Sequence, residues 1–217
     1  MNNPTVSSFR TGGALLGDSP VYIEREADKE ALQQLQAMNY LLVIEPRQQG
    51  KTSLVNHLMC SPALVNTSLV YVDTTTLDRS SETTWYQTLC SRILRQLHSF
   101  IPRKQWPDIP EDSARWRDFL WDIAVFATQA QRRIVIALDE IGSATFPRAT
   151  TFFSVLRDVY NARQAEAEFK WLTFLLMGAF HPRDLIKDEK ISPFNIAQRV
   201  RLPDFTLEQV CELSLIH

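Results

Sequence analysis

The chain has 217 residues, 45% of them hydrophobic and 22% charged, with a formal net charge of -2. That length can bury one sizeable core, and the charge balance offers no global basic field for nucleic acid or an anionic membrane surface. Cys60, Cys90 and Cys211 stand far apart without a C-x-x-C spacing, which argues against a disulfide framework or zinc site and for a reducing, cytoplasmic setting. No apolar run approaches a membrane span of about 18 residues, and the polar start MNNPTVSSFR does not read as a signal peptide.

In chain order, residues 27–38 (ADKEALQQLQAM) put Ala31, Leu32 and Leu35 on one helical face. Residues 40–44 are an apolar strand candidate, and 68–72 a second. Residues 85–100 are helical in period through Leu89, Ile93 and Leu97. Residues 101–111 hold three prolines and form a loop, and 118–129 continue as a helix; Trp116 and Trp121, with Phe119 and Leu120 between them, have the spacing of core and rim. Residues 134–138 are a third strand, 151–165 a helix, 171–177 a fourth strand and 199–202 a fifth. Strands alternating with helices indicate a parallel sheet covered on both faces.

Two segments carry chemistry. In YLLVIEPRQQGKTS (40–53) an apolar strand feeds Gly50-Lys51-Thr52-Ser53 and then an amphipathic stretch. Such a turn gathers backbone N–H groups around an anion at the positive end of a helix dipole. Lys51 would reach the β- and γ-phosphates and the Thr52 hydroxyl would ligate Mg²⁺. The pattern G-x-x-x-x-G-K-[ST] is incomplete, because Glu45 holds the first glycine position and Pro46 follows it. In RIVIALDE (133–140) a buried-type strand ends in two carboxylates. Asp139 would hold the metal through water, and Glu140 would polarise the attacking water. Either motif alone is weak; their order, each on the end of an apolar strand, points to a nucleoside triphosphate site. Asp73, before three threonines, reads as turn chemistry, and His181 as a loop histidine.

Several blocks together extend this reading. Phe9-Arg10-Thr11-Gly12-Gly13-Ala14-Leu15, then Tyr22-Ile23-Glu24-Arg25-Glu26-Ala27-Asp28, Arg47-Gln48-Gln49-Gly50-Lys51-Thr52-Ser53-Leu54, Trp85-Tyr86, Leu138-Asp139-Glu140-Ile141, Pro193-Phe194-Asn195-Ile196 and others occur in series. With them the chain resembles the AAA-like domain family of bacterial, especially cyanobacterial, proteins within the STAND (signal-transduction) branch of P-loop ATPases. The family's loop also lacks the first glycine. The resemblance implies a three-layer α/β P-loop NTPase fold, a parallel five-stranded sheet of order 5-1-4-3-2 with helices on both faces, and ATP used as a conformational switch. It departs from the family at Gly142, where an Asp is usual, and at Gly178-Ala179-Phe180-His181, which lacks a polar γ-phosphate sensor.

The expected organisation is an N-terminal segment and helix flanking the nucleotide site (1–38) and a P-loop core (39–217) that stops where a C-terminal lid would begin. The expected ligands are ATP and Mg²⁺, with Arg47, Gln48, Gln49, Gly50, Lys51, Thr52 and Ser53 around the phosphates. Arg47 has a rival reading as a partner of Glu45 or another carboxylate. Arg25 and Asp28 admit two readings, beside the adenine by resemblance or as a helix cap and solvated face. The expected activity is a switch with slow Mg-dependent hydrolysis; a non-catalytic interaction module and a DNA-transaction ATPase are the alternatives. A second copy of the chain or an effector protein is the expected partner, with no membrane and no nucleic acid.

Overall fold

A computed structural model describes residues 13–19, 21–143, 149–188 and 190–215, so the block from Phe9 to Gly12 lies outside the described residues. The strands are β1 (Leu41–Ile44), β2 (Thr67–Asp73), β3 (Arg133–Asp139), β4 (Leu172–Gly178) and β5 (Gln198–Arg199). All pair in parallel, in the order β2-β3-β4-β1-β5. Read from the other edge this is 5-1-4-3-2, the expected order, with β4 inserted between β1 and β3.

Alternation along each strand divides the core. Leu42, Val70, Val72, Ile134, Ile136, Leu138, Phe174 and Leu176 face α3 (Glu82–Gln96), α4 (Trp116–Gln129) and α5 (Ala149–Ala162). Leu41, Val43, Val135, Ala137, Leu175 and Met177 face α1 (Glu26–Gln36) and α2 (Lys51–Cys60). β3 and β4 are buried on both faces, which is why their sequences are unbroken apolar runs rather than alternating ones.

Element ends follow from local chemistry. The Arg25 backbone N–H donates to the Asp28 carboxylate at 2.5 Å, so α1 starts at Glu26; it ends at Gln36, and Met38 takes a φ of 58°. Ser81 caps α3 by accepting the Thr84 N–H at 3.0 Å, and the helix stops at Gln96, short of the expected residue 100. β5 covers two residues rather than residues 199–202, although the Val200 N–H still reaches the Leu42 carbonyl at 3.0 Å. A single turn, α6 (Pro182–Leu185), and α7 (Leu207–Leu215) complete the helices.

The larger core is aromatic at its centre. Phe152 lies 5.3 Å from the Trp85 ring, 5.4 Å from Trp116 and 5.2 Å from Phe153. Trp116 is buried and Trp121 half-buried, the core-and-rim division expected of them. Edge and offset contacts of this kind add to the stabilisation from area alone. Phe152→Ala is expected to lower stability by about 3–5 kcal/mol, read as a drop in the urea midpoint without a change in slope.

Candidate functional site

Both chemical motifs lie at the C-terminal edge of the sheet, β1 carrying the loop into α2 and β3 ending in Asp139. The loop bends through two left-handed residues, Gln48 at φ 67° and Gly50 at φ 82°. Gly50 is the residue before α2, where a side chain would be strained by that φ and would meet the Arg25 guanidinium at 3.4 Å. Glu45, in the place of the pattern's first glycine, works at the sheet edge. Its N–H donates to the Gly178 carbonyl at 3.1 Å, and its Oε1 accepts the Leu202 N–H at 3.2 Å. Among the described residues no ion pair joins Arg47 to Glu45; Arg47 is exposed at the mouth of the cleft.

Lys51 is only 5% exposed, and its ammonium donates to the Glu45 carbonyl at 2.8 Å and the Pro46 carbonyl at 2.7 Å. A buried ammonium needs such partners. Beside it, Thr52 Oγ1 donates to Asp139 Oδ2 at 2.9 Å, which joins the two motifs directly. Asp139 is 3% exposed, so its carboxylate depends on local donors: Tyr71 Oη reaches the same Oδ2 at 2.9 Å, and the Glu140 N–H reaches Oδ1 at 2.8 Å. Burial and the Asp139 charge push the Tyr71 phenol pKa well above its ordinary value, so it remains a donor. Glu140 sits at φ 51°, and Thr74 Oγ1 holds this corner by donating to the carbonyls of Asp139 (3.0 Å) and Glu140 (2.9 Å). Arg47, Gln48, Gly50, Lys51, Thr52, Ser53 and Glu140 line one cleft of about 560 Å³.

A second, more apolar cleft of about 410 Å³ adjoins it and shares Gly13, Gln48, Gly50 and Ser53 with it. Its walls come from two distant segments. Val21, Tyr22, Ile23 and Arg25 form one, and Pro203, Asp204 and Phe205 the other. Arg25, 6% exposed, donates to the Gln49 carbonyl at 3.2 Å, stands 3.8 Å from Asp28 and lies over the Phe205 ring at 5.5 Å. Gln49 Nε2 donates to Asp204 at 3.3 Å. Asp28 accepts from Tyr22 Oη at 2.9 Å, so its cap also fixes this wall; the helix-cap reading holds, but both Arg25 and Asp28 are buried rather than on a solvated face. Ser53 Oγ accepts the Leu15 N–H at 3.0 Å and Asn56 donates to the Leu15 carbonyl at 2.8 Å, which seats the leading segment on α2.

Of the sequence-predicted site residues, Arg25, Arg47, Gln48, Gln49, Gly50, Lys51, Thr52, Ser53 and Glu140 line two contiguous clefts, and Asp139 is buried behind Thr52. Asp73 accepts from Thr75 N at 2.8 Å, and His181 from Arg183 N at 3.3 Å, both turn roles. Tyr71, Thr74, Tyr22, Asn56 and Phe205 were not singled out by sequence. Only Tyr71 had an accessible signal, since it shares the strand parity of Asp73, which pairs with Asp139. The donor set suits Mg²⁺, which takes hard oxygen ligands and keeps several waters: one hydroxyl and one carboxylate, with the Thr52 proton already committed to Asp139.

The two departures, at Gly142 and after β4, are in contact. A Cβ on Gly142 would lie 2.6 Å from the Phe180 Cβ, so Phe180 fills the space a side chain at 142 would take. The Phe180 ring packs on Phe194 at 5.5 Å.

A family model described as AAA-like domain matches residues 11–217. An uncharacterized WD repeat-containing protein of Synechocystis sp. is 34% identical over 95% of the chain, which spans 18% of that protein's length. Among solved structures, the Aeropyrum pernix ORC2 protein in its ADP form superposes with a TM-score of 0.60 at 18% identity, covering 92% of this chain and 55% of that one. Cdc6p from Pyrobaculum aerophilum gives 0.54 at 15% identity, covering 91% and 51%. At such identities the likeness is one of fold, and the chain spans about half of each.

Gly142→Ala is expected to cost about 1–3 kcal/mol through overpacking against Phe180. In a Phe180→Gly background, which removes the Cβ as well as the ring, the same change should cost under about 0.5 kcal/mol, measured as a double-mutant cycle by urea unfolding; strict additivity would show that the two positions are independent.

Proposed function

Because this chain belongs to the AAA-like domain family, we propose that it binds Mg-ATP in the paired clefts and acts as a nucleotide-dependent switch of the STAND type, with slow hydrolysis. The observation that supports this best is the 2.9 Å hydrogen bond from Thr52 to Asp139 beside the buried Lys51 ammonium. It brings the anion-binding loop and the acidic strand end into one site.

The backbone from Gln48 to Thr52, with Lys51 and Arg47, holds the phosphates at the start of α2. A phosphate offers Lys51 a charged acceptor in place of the two neutral carbonyls it now engages, and charge-assisted bonds are the stronger. Thr52 would hold the metal through an oxygen lone pair while its O–H continues to donate to the Asp139 carboxylate, and Asp139 would hold it through water. Bound there, Mg²⁺ would supply neutralisation of charge on the β- and γ-phosphates. Glu140 orients and deprotonates the attacking water. The apolar cleft, walled by Val21, Tyr22, Ile23 and Phe205, takes the base and ribose, with Arg25 bridging loop and wall. The same chain is proposed to work in the cytoplasm, with an effector or a second copy of itself as partner.

A second reading, a nucleotide-binding interaction module without catalysis, draws support from Phe180. That aromatic side chain stands after β4, against Gly142, at the position where the resemblance would put a polar γ-phosphate sensor. An apolar neighbour supplies no electrostatic stabilisation to the transition state.

Calorimetry should record Mg-ATP binding to the wild type and none to Lys51→Ala; equal heats would refute the site. Single-turnover hydrolysis should fall about 10²-fold or more in Glu140→Gln. An unchanged rate in that variant would favour the module.

A further inference from the structure

We propose that Tyr71 is a positioning residue for the metal-side carboxylate, holding Asp139 so that Mg²⁺ binds with the nucleotide; this rests on the Mg-ATP reading. Tyr71 lies on β2, the edge strand, and no part of the phosphate loop or the acidic strand end includes it. Its phenol donates to Asp139 Oδ2 at 2.9 Å, the atom that also accepts from Thr52 at 2.9 Å. Oδ1 is held by the Glu140 N–H at 2.8 Å, so donors fix both oxygens and the carboxylate plane with them.

The two donors on Oδ2 are not equivalent. Thr52 would also give a lone pair to the metal, so it serves both the carboxylate and the ion. Tyr71 has no such second duty, and its place is set from outside the site. Gln96 of α3 accepts the Tyr71 N–H at 3.0 Å and donates to the Tyr71 carbonyl at 2.8 Å, in the manner of a neighbouring strand. The tyrosine is thereby anchored at the sheet edge. A side chain that merely packed there could be phenylalanine. What the hydroxyl adds is a charge-assisted bond to a nearly buried carboxylate. Groups of this kind orient a metal's protein ligand, and their loss weakens metal affinity about 10- to 100-fold.

The test uses the full chain with a fluorescent ATP analogue, titrated with Mg²⁺ after starting in EDTA. For Tyr71→Phe the affinity in EDTA should match wild type, while the Mg²⁺ concentration for half-maximal enhancement rises about tenfold. Thermal melts without nucleotide should stay cooperative and fall by only the few degrees expected for one lost hydrogen bond, showing that the fold is kept. In an Asp139→Asn background, Tyr71→Phe should produce no further shift, because the phenol acts through that carboxylate. Coincident Mg²⁺ titrations of wild type and Tyr71→Phe would overturn the inference, as would an equal shift in the Asp139→Asn background. A wild type that binds no nucleotide at all would remove the parent reading and this inference together, a result distinct from either.

Discussion

Asp139 is the constraint around which the site is arranged. A carboxylate with 3% exposure is costly unless donors satisfy it, and the three that do come from different places: Thr52 at the start of α2, Tyr71 on β2, and its own neighbour Glu140. Satisfying one buried charge therefore fixes three elements against one another at the C-terminal edge of the sheet. The left-handed φ of Glu140 belongs to the same arrangement. The chain must turn sharply there for its N–H to reach back to Oδ1 while its side chain lines the cleft.

The unusual loop has a comparable logic. Glu45 secures the Leu202 N–H just past the short strand β5, where the sheet ladder has already given out. A glycine could not do this. The turn's left-handed geometry is carried instead by Gln48 and Gly50, farther along. The loop thus keeps its curvature while its first position serves the sheet edge. After β4, Phe180 packs against Gly142, so a side chain at position 142 would require Phe180 to move.

Much of the architecture could be read from the sequence because its signals are local. Unbroken apolar runs at β3 and β4 mark strands buried on both faces, and their alternation with amphipathic helices implies parallel pairing. The strand order came from resemblance, since nothing in periodicity says that β4 enters between β1 and β3. The residues of the turn from Arg47 to Ser53 were legible as one unit because they are contiguous in sequence. The rest was not, for a physical reason: Tyr71, Tyr22 and Phe205 reach the site only through tertiary contacts, and each has an ordinary core or surface pattern in its own segment. Arg25 and Asp28 were ambiguous in sequence because a helix cap and a cleft wall use the same residues. Element ends strayed where caps overrode periodicity, as at Leu97 after α3, and β5 shortened because only its first residues find a partner in β1.

The apolar cleft is walled by segments from far apart in the chain: Gln49 and Asp204, which hydrogen-bond across it, are 155 positions apart, and Arg25 stacks on Phe205. Contacts of such separation form late, because the intervening chain must first be ordered. During synthesis the loop and its lysine would emerge early, yet the pocket wall would wait for residues 203–205 to leave the ribosome. Ligand capture would thus be delayed until the whole sheet, including its last edge strand, had assembled.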